Sequence, residues 1–327
     1  MHDLQGLLRG PRTADNQDAG VQCVHFLRPM VGVFTIMRDH PVPEEKETSL
    51  IVIFTDLDGT LLDHDSYSWE EAVPALERCK GLRVPVILVS SKTRAEMEVL
   101  RKALGLPYPF ISENGGGLFF PVTGGEKAPS GATRVENIWR LSLETPYPQL
   151  VASFRAIREE LGWKLRGFSD MNPQDIARVT GLDLEDAHLS SRREYDEPFL
   201  VEGAGGLDTG PLLDAARRRG LQISLGGRFF HLHGKNDKGT AVQRLTAWYR
   251  EIHGPVYTAA LGDSPNDFSM LKHVDYPVLI RSSKRYPELE EALPGMRISR
   301  DRGPRGWNVE VLGLLTEPPS KGATQDV

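Results

Sequence analysis

The chain has 327 residues, 39% of them hydrophobic and 26% charged, with a formal net charge of −6. That length supports two domains around a large core, and an acidic balance offers no basic excess to neutralise nucleic-acid phosphates. Cys23 and Cys79 make neither a disulfide framework nor a zinc site, which fits a reducing cytoplasm; the apolar stretch over 29–37 falls far short of the ~20 residues a membrane helix needs and lacks the flanks of a signal peptide.

Residues 1–46 mix Gly, Pro, Asp, Arg and Gln without period and read as a weakly structured extension, with room for a short strand over 31–36. The sequence IVIFTDLDGT at 51–60 then begins a βα pattern. An apolar, β-branched run of this kind fills a buried parallel strand. Its end delivers Asp56 and Asp58, two residues apart and hence on one face of an extended segment, at the carboxyl edge where open α/β sheets bind ligands. Two like charges so close call for a cation, and Mg²⁺ bound through carboxylates plus a substrate phosphate meets that demand. A helix near 74–80, a strand at 84–89 and a helix over 93–104 follow, the last with a Thr93/Glu96 capping box and Gly105 beyond its end. Between them Ser90 and Ser91 end a strand. A hydroxyl and a backbone N–H there suit a phosphoryl oxygen at a helix start, although alone the pair is an ordinary cap.

Short strands at 109–112 and 118–120 flank Glu113, Asn114 and Gly115. The alternation then breaks: helices near 148–161, 173–180, 184–190 and 211–219, with strands at 199–201 and 221–224, read as an α+β insertion. After a strand at 228–233 the βα units resume, with a helix over 239–252, a strand at 257–261, a helix over 266–271 and a strand at 278–280. Lys238 opens the first of these helices, where its charge opposes the helix dipole; a phosphate or an aspartate partner would justify it. The sequence GDSPND at 262–267 places Asp263 at a strand end and Asn266 and Asp267 at a helix start. The residues after 315 read as a flexible tail.

In order and strand position, DLDGT, the strand-end Ser90, Lys238 and GDSPND resemble the four motifs of the haloacid dehalogenase-like (HAD) phosphatases. The likeness spans roughly residues 50 to 315. It implies an α/β, Rossmann-like doubly wound parallel sheet, a core over 47–122 and 228–315, and a C2-type cap over 123–227 like that of the Cof-type members. Residue by residue, it makes Asp56 the nucleophile, Asp58 the general acid/base, Ser90 the phosphate-binding hydroxyl, Lys238 the lysine of the third motif, and Asp263 and Asp267 metal-side acids, so that Asp56, Asp58, Asp263 and Asp267 surround Mg²⁺.

The segments SSKTRAE at 90–96, ISENGGG at 111–117, REYDEPF at 193–199 and GGRFFH at 226–231 resemble the mannosyl-3-phosphoglycerate phosphatase family. That resemblance implies a small phosphorylated sugar–glycerate substrate and contacts to it from Ser91, Lys92, Glu113, Asn114, Gly115, Arg193, Glu197, Arg228, His231 and Asn266. On chemistry alone, a carboxylate and sugar hydroxyls want arginine forks and acidic or amide groups. For each cap residue a solvated, salt-bridged surface is an equal reading, and His231 and His233 are equally ordinary strand-face histidines. Glucosyl-3-phosphoglycerate or sucrose 6-phosphate are alternative substrates. A non-catalytic binding module on the same scaffold would have lost Asp56 or Asp58, which this chain keeps.

Overall fold

The computed structural model describes residues 49–122, 128–202, 208–226 and 228–316. The extension over 1–46, its strand over 31–36 and the tail from 317 lie outside the described residues.

The uncharged run at 50–55 forms β1 (Leu50–Thr55), an interior strand of a nine-stranded sheet. Chain order then gives α1 (Val73–Leu82), β2 (Val86–Val89), α2 (Arg94–Ala103), β3 (Phe110–Ser112), β4 (Gly117–Pro121), β5 (Thr133–Val135) and β6 (Ile138–Ser142). An inserted unit follows: α3 (Tyr147–Leu161), β7 (Leu165–Gly167), α4 (Pro173–Thr180), α5 (Leu184–Ser190), β8 (Asp196–Val201), α6 (Gly210–Arg217), β9 (Gln222–Gly226) and β10 (Phe229–His233). The chain returns through α7 (Lys238–His253), β11 (Val256–Gly262), α8 (Phe268–Leu271), β12 (Tyr276–Arg281), α9 (Pro287–Ala292), β13 (Arg297–Arg302) and α10 (Gly303–Thr316).

The large sheet runs β13-β12-β11-β1-β2-β3-β4-β6-β5. From β13 to β3 every pairing is parallel; β4, β6 and β5 add an antiparallel edge. Side-chain alternation along β1 feeds two cores. Ile53 joins α1 and α10 through Leu76 and Trp307, whereas Val52 and Phe54 join α7 and α8 through Leu245 and Met270. Helices therefore cover both faces, as a buried parallel sheet requires.

The small sheet, β7-β8-β10-β9, is antiparallel throughout. Its core joins Phe199 and Leu232 to Leu150 and Phe154 of α3 and Ala215 of α6. Three strands fall on other sides than the spans expected from sequence. β5 and β6, within 123–227, extend the large sheet, and β10, within 228–315, pairs with β8 and β9 in the small one.

Candidate functional site

The site gathers where β1, β2, β3 and β11 end side by side. Strand register fixes this: Thr55 pairs with Leu261 and Leu88, and Val89 pairs with Ile111, so the next residues of each strand emerge together. Asp56 leaves β1 with its backbone N–H donating to Leu261 O at 2.9 Å. The Thr55 hydroxyl donates to the Asp56 carbonyl at 2.7 Å and accepts from the Trp307 indole N–H at 3.0 Å. A buried tryptophan from α10 thus fixes the strand end.

Lys238 is the hub. Its ammonium donates to Asp56 Oδ1 at 2.7 Å and to Asp267 Oδ1 at 2.6 Å, with the lysine side chain 2% exposed. Burial works against its charge, but Asp267 and Asp56 hold it above the ordinary lysine range. That pairing accounts for a lysine in the first turn of α7, where the Asp237 side chain caps the helix by accepting from Thr240 N–H. Asp267 is fully buried, and its Oδ2 accepts from the Asp263 and Ser264 N–H groups and the Ser264 hydroxyl. Oxygens of Asp56, Asp263 and Asp267 lie within 4.8 Å of one another. Burial first, then Asp267, raises Asp56; the same causes push Asp263 up to about 6. Three converging carboxylates against one ammonium leave an excess of negative charge that a hard divalent cation fits. Asp56, Asp263 and Asp267 each offer an oxygen to such an ion, with both Asp267 oxygens also accepting hydrogen bonds. Gly59, at φ +83°, lets the chain pass this cluster; a Cβ there would lie 2.8 Å from Asp263 Oδ2.

Asp58 Oδ2 receives the Lys92 ammonium at 2.9 Å, while its Oδ1 is buried without a hydrogen-bond partner. Ser90 is buried and its hydroxyl oxygen accepts from the Lys92 N–H at 3.2 Å. Ser91 is exposed. Glu113 and Asn114 both adopt left-handed backbone (φ +48° and +56°), and Gly115 follows at φ +99°. This contorted turn lets the Glu113 and Asn114 N–H groups reach the Lys92 and Ser90 carbonyls. The Asn266 amide donates to Asn114 Oδ1 at 3.0 Å, joining the β3 and β11 ends.

The structure brings Asp56, Asp58, Ser90, Lys92, Asn114, Lys238, Asp263, Asn266 and Asp267 to one sheet edge, and the inserted unit meets that edge through Arg193. Arg193 reaches the Ser91 carbonyl and pairs with Asp196, which His231 Nδ1 meets at 2.8 Å. Glu197 is internal to the inserted unit: buried, it accepts from the Tyr147 hydroxyl and from Ser169 N–H and Oγ. Arg228 is exposed and donates to the Thr180 carbonyl at 3.2 Å.

Sequence reasoning passes over Asn236, whose amide donates to the Glu113 and Tyr195 carbonyls and so ties the turn at 113 to the inserted unit. It passes over Asp196 too, and it reads Glu194 only as part of a charge cluster, whereas Glu194 accepts from Arg94 and Arg140. Their proximity to Lys238 and Arg193 is the only sequence signal, because, apart from the Arg193–Asp196 pair, their partners lie far away along the chain.

Residues 53–120 match the haloacid dehalogenase-like hydrolase family. The chain is 39% identical to a glucosyl-3-phosphoglycerate/mannosyl-3-phosphoglycerate phosphatase of Methanococcoides burtonii, over 81% of this chain and 97% of that protein. It is 40% identical to one of the same description from Persephonella marina, over 82% and 98%. Among solved structures, a Thermoplasma acidophilum protein superposes with a TM-score of 0.57 at 18% identity, covering 82% of this chain and 99% of that one. A haloacid dehalogenase-like hydrolase from Bacteroides thetaiotaomicron gives 0.56 at 15% identity, covering 80% and 98%. These last two bear on the fold alone. No helix among the described residues is long and apolar enough to cross a membrane.

Proposed function

The chain belongs to the glucosyl-3-phosphoglycerate/mannosyl-3-phosphoglycerate phosphatases, a group of haloacid dehalogenase-like hydrolases, and on that premise we propose that it hydrolyses mannosyl-3-phosphoglycerate to mannosylglycerate and phosphate. Glucosyl-3-phosphoglycerate is the close alternative substrate, since the two sugars differ in the configuration of one hydroxyl. The observation that carries the catalytic reading is the buried chain Asp56–Lys238–Asp267 beside Asp263.

Uncatalysed phosphate-monoester hydrolysis is among the slowest of reactions, and a covalent intermediate divides it into two easier steps. An Asp56 oxygen attacks phosphorus and the bond to the glycerate oxygen breaks; water then attacks the aspartyl-phosphate, releasing phosphate and restoring the carboxylate. Asp58 gives its proton to the leaving alkoxide in the first step and takes one from water in the second. Its unpartnered Oδ1 supports that role, since Lys92 occupies only Oδ2. Lys238 and the Ser90 hydroxyl share the charge on the phosphoryl oxygens, the main catalytic task in a loose transition state. Asp56, Asp263 and Asp267 would hold Mg²⁺, with Asp267 also orienting Lys238 and the Asp263 backbone. Bound there, Mg²⁺ supplies the charge neutralisation that lets a carboxylate approach a phosphate dianion. The inserted unit, acting as a cap, shields the site and reads the sugar–glycerate. A cytoplasmic role in making the compatible solute mannosylglycerate accords with this chemistry.

Phosphate release from a panel of phosphoglycerate glycosides and sugar phosphates, with Mg²⁺, tests the reading. Mannosyl- or glucosyl-3-phosphoglycerate should lead in kcat/KM; a clear preference for sucrose 6-phosphate would overturn the substrate assignment.

A further inference from the structure

Arg193 has the chemistry of a carboxylate reader, yet its side chain is only 10% exposed and is engaged by groups of the protein itself. Nε donates to the Ser190 carbonyl at 2.9 Å, and Nη1 donates to the Ser91 carbonyl at 3.2 Å. Nη1 also lies 3.4 Å from Asp196 Oδ2 and 3.9 Å from Glu113 Oε1. Residues 90–92, which carry the candidate phosphate-binding hydroxyl, have three successive carbonyls, and each meets a different donor. The Asn114 N–H takes Ser90 O at 2.9 Å and the Glu113 N–H takes Lys92 O at 3.1 Å. The middle one, Ser91 O, goes to Arg193 from the inserted unit. Buried Glu113 also accepts from the Glu194 and Tyr195 N–H groups, which seats the residues just after Arg193.

The Ser91 carbonyl and the Lys92 N–H belong to one planar peptide. Arg193 grips one end of that plane, and the other end donates to Ser90 Oγ at 3.2 Å. An oxygen that accepts there keeps its own hydrogen for an outside acceptor, and the bonded chain polarises it. We propose that Arg193 is a positioning residue: through the 91–92 peptide it orients the Ser90 hydroxyl toward the phosphoryl group, so that seating of the inserted unit completes the phosphate site. This rests on the phosphatase reading.

The test compares full-length wild type, Arg193→Ala, Arg193→Lys, Ser90→Ala and the Arg193→Ala/Ser90→Ala double variant. Four quantities are measured with Mg²⁺: the Kd of inorganic phosphate by calorimetry, kcat and KM on p-nitrophenyl phosphate, the same on mannosyl-3-phosphoglycerate, and Tm. In Arg193→Ala, phosphate affinity and kcat on both substrates should fall by a common factor of about ten to a hundred, the scale of a small misplacement at a reacting group. Arg193→Lys should recover little, because an ammonium cannot span the Ser190 and Ser91 carbonyls as a guanidinium does. The double variant should be hardly worse than Ser90→Ala, since both changes act on one hydroxyl.

A loss confined to the carboxylate-bearing substrate would make Arg193 a substrate reader and overturn the proposal. So would additive losses in the double variant, or a lowered Tm with phosphate affinity and kcat unchanged. If Arg193→Ala does not fold, Arg193→Lys carries the same comparison. A wild type that releases phosphate from no ester would end the phosphatase reading, while the calorimetric arm would still score Arg193.

Discussion

At the scale of single residues, two carboxylates two positions apart have unlike surroundings. Asp56 is bonded to Lys238, beside Asp267; Asp58 is bonded to Lys92, with one oxygen unpartnered. Asp56→Asn should abolish turnover of every substrate in a folded protein, because an amide cannot attack phosphorus; normal activity would remove Asp56 from the reaction. Asp58→Asn should lower kcat on an alkyl phosphate by about 10²–10⁴-fold, the usual value of proton transfer to a poor leaving group. On p-nitrophenyl phosphate, whose phenolate leaves without a proton, the loss should be much smaller. Lys92→Met should reproduce that leaving-group dependence at about tenfold on the alkyl ester, the scale of one charged hydrogen bond; equal losses on both esters would place Lys92 on the phosphoryl group instead. Asp56, Asp58, Lys238, Asp263 and Asp267 are legible in the sequence because each lies at a strand end or helix start, where local pattern predicts position. Arg193 is legible only as a charge. Two of its partners, the carbonyl of Ser91 and the carboxylate of Glu113, lie about 100 and about 80 residues upstream, and no local rule pairs them.

At the scale of elements, the turn at 113–115 is the most constrained. Gly115 sits at φ +99°, and a Cβ there would lie 2.4 Å from the Asp237 carbonyl, directly before Lys238. Gly115→Ala should therefore cost stability by at least the ~1–3 kcal/mol of such backbone strain and lower kcat by displacing the start of α7. An unchanged Tm and kcat would show that the turn is more forgiving than its geometry. The capping box foreseen at Thr93 and Glu96 is present in full, with the Glu96 carboxylate accepting from Thr93 N–H and Thr93 Oγ1 accepting from Glu96 N–H. Elements with strong periodicity or caps, such as β1, α2, α4 and α5, are readable in sequence. β13 and α10 are not: Arg297–Arg302 alternates charge with little apolar signal, and α10 begins with Gly-Pro. The β5–β6 hairpin reads as insertion because its antiparallel pairing to β4 depends on contacts across the chain rather than on local pattern.

At the scale of the whole molecule, the site is a cost to the fold. Burial and Asp267 push Asp263 up to about 6 from an ordinary 3.8. The folded chain thus holds this proton at pH values where the unfolded chain has lost it, so the group's contribution to stability declines as pH rises from about 4 to 6 and stays low above. In EDTA at pH 7–8, Asp263→Asn should accordingly raise Tm above wild type. Adding Mg²⁺ should raise the wild-type Tm and leave the variant's nearly unmoved, by linkage to a site only the wild type has. A variant less stable than wild type in EDTA would contradict the charge-repulsion account. Activity should vanish in EDTA and return with Mg²⁺, with Ca²⁺ a poor substitute because its larger, looser coordination misplaces the phosphate; full activity after exhaustive chelation would remove the metal from the mechanism. The large sheet brings these charges together, and the inserted unit supplies Arg193, which reaches the Ser91 carbonyl at the same sheet edge.

The central claim, that Asp56 carries the phosphoryl group, is tested most directly by a crystal structure with Mg²⁺ and beryllofluoride, an analogue of an aspartyl-phosphate. The account predicts beryllium bonded to an Asp56 carboxylate oxygen, with fluorines in reach of Lys238 Nζ and Ser90 Oγ. Beryllofluoride bonded to any other side chain, with Asp56 free, would contradict it.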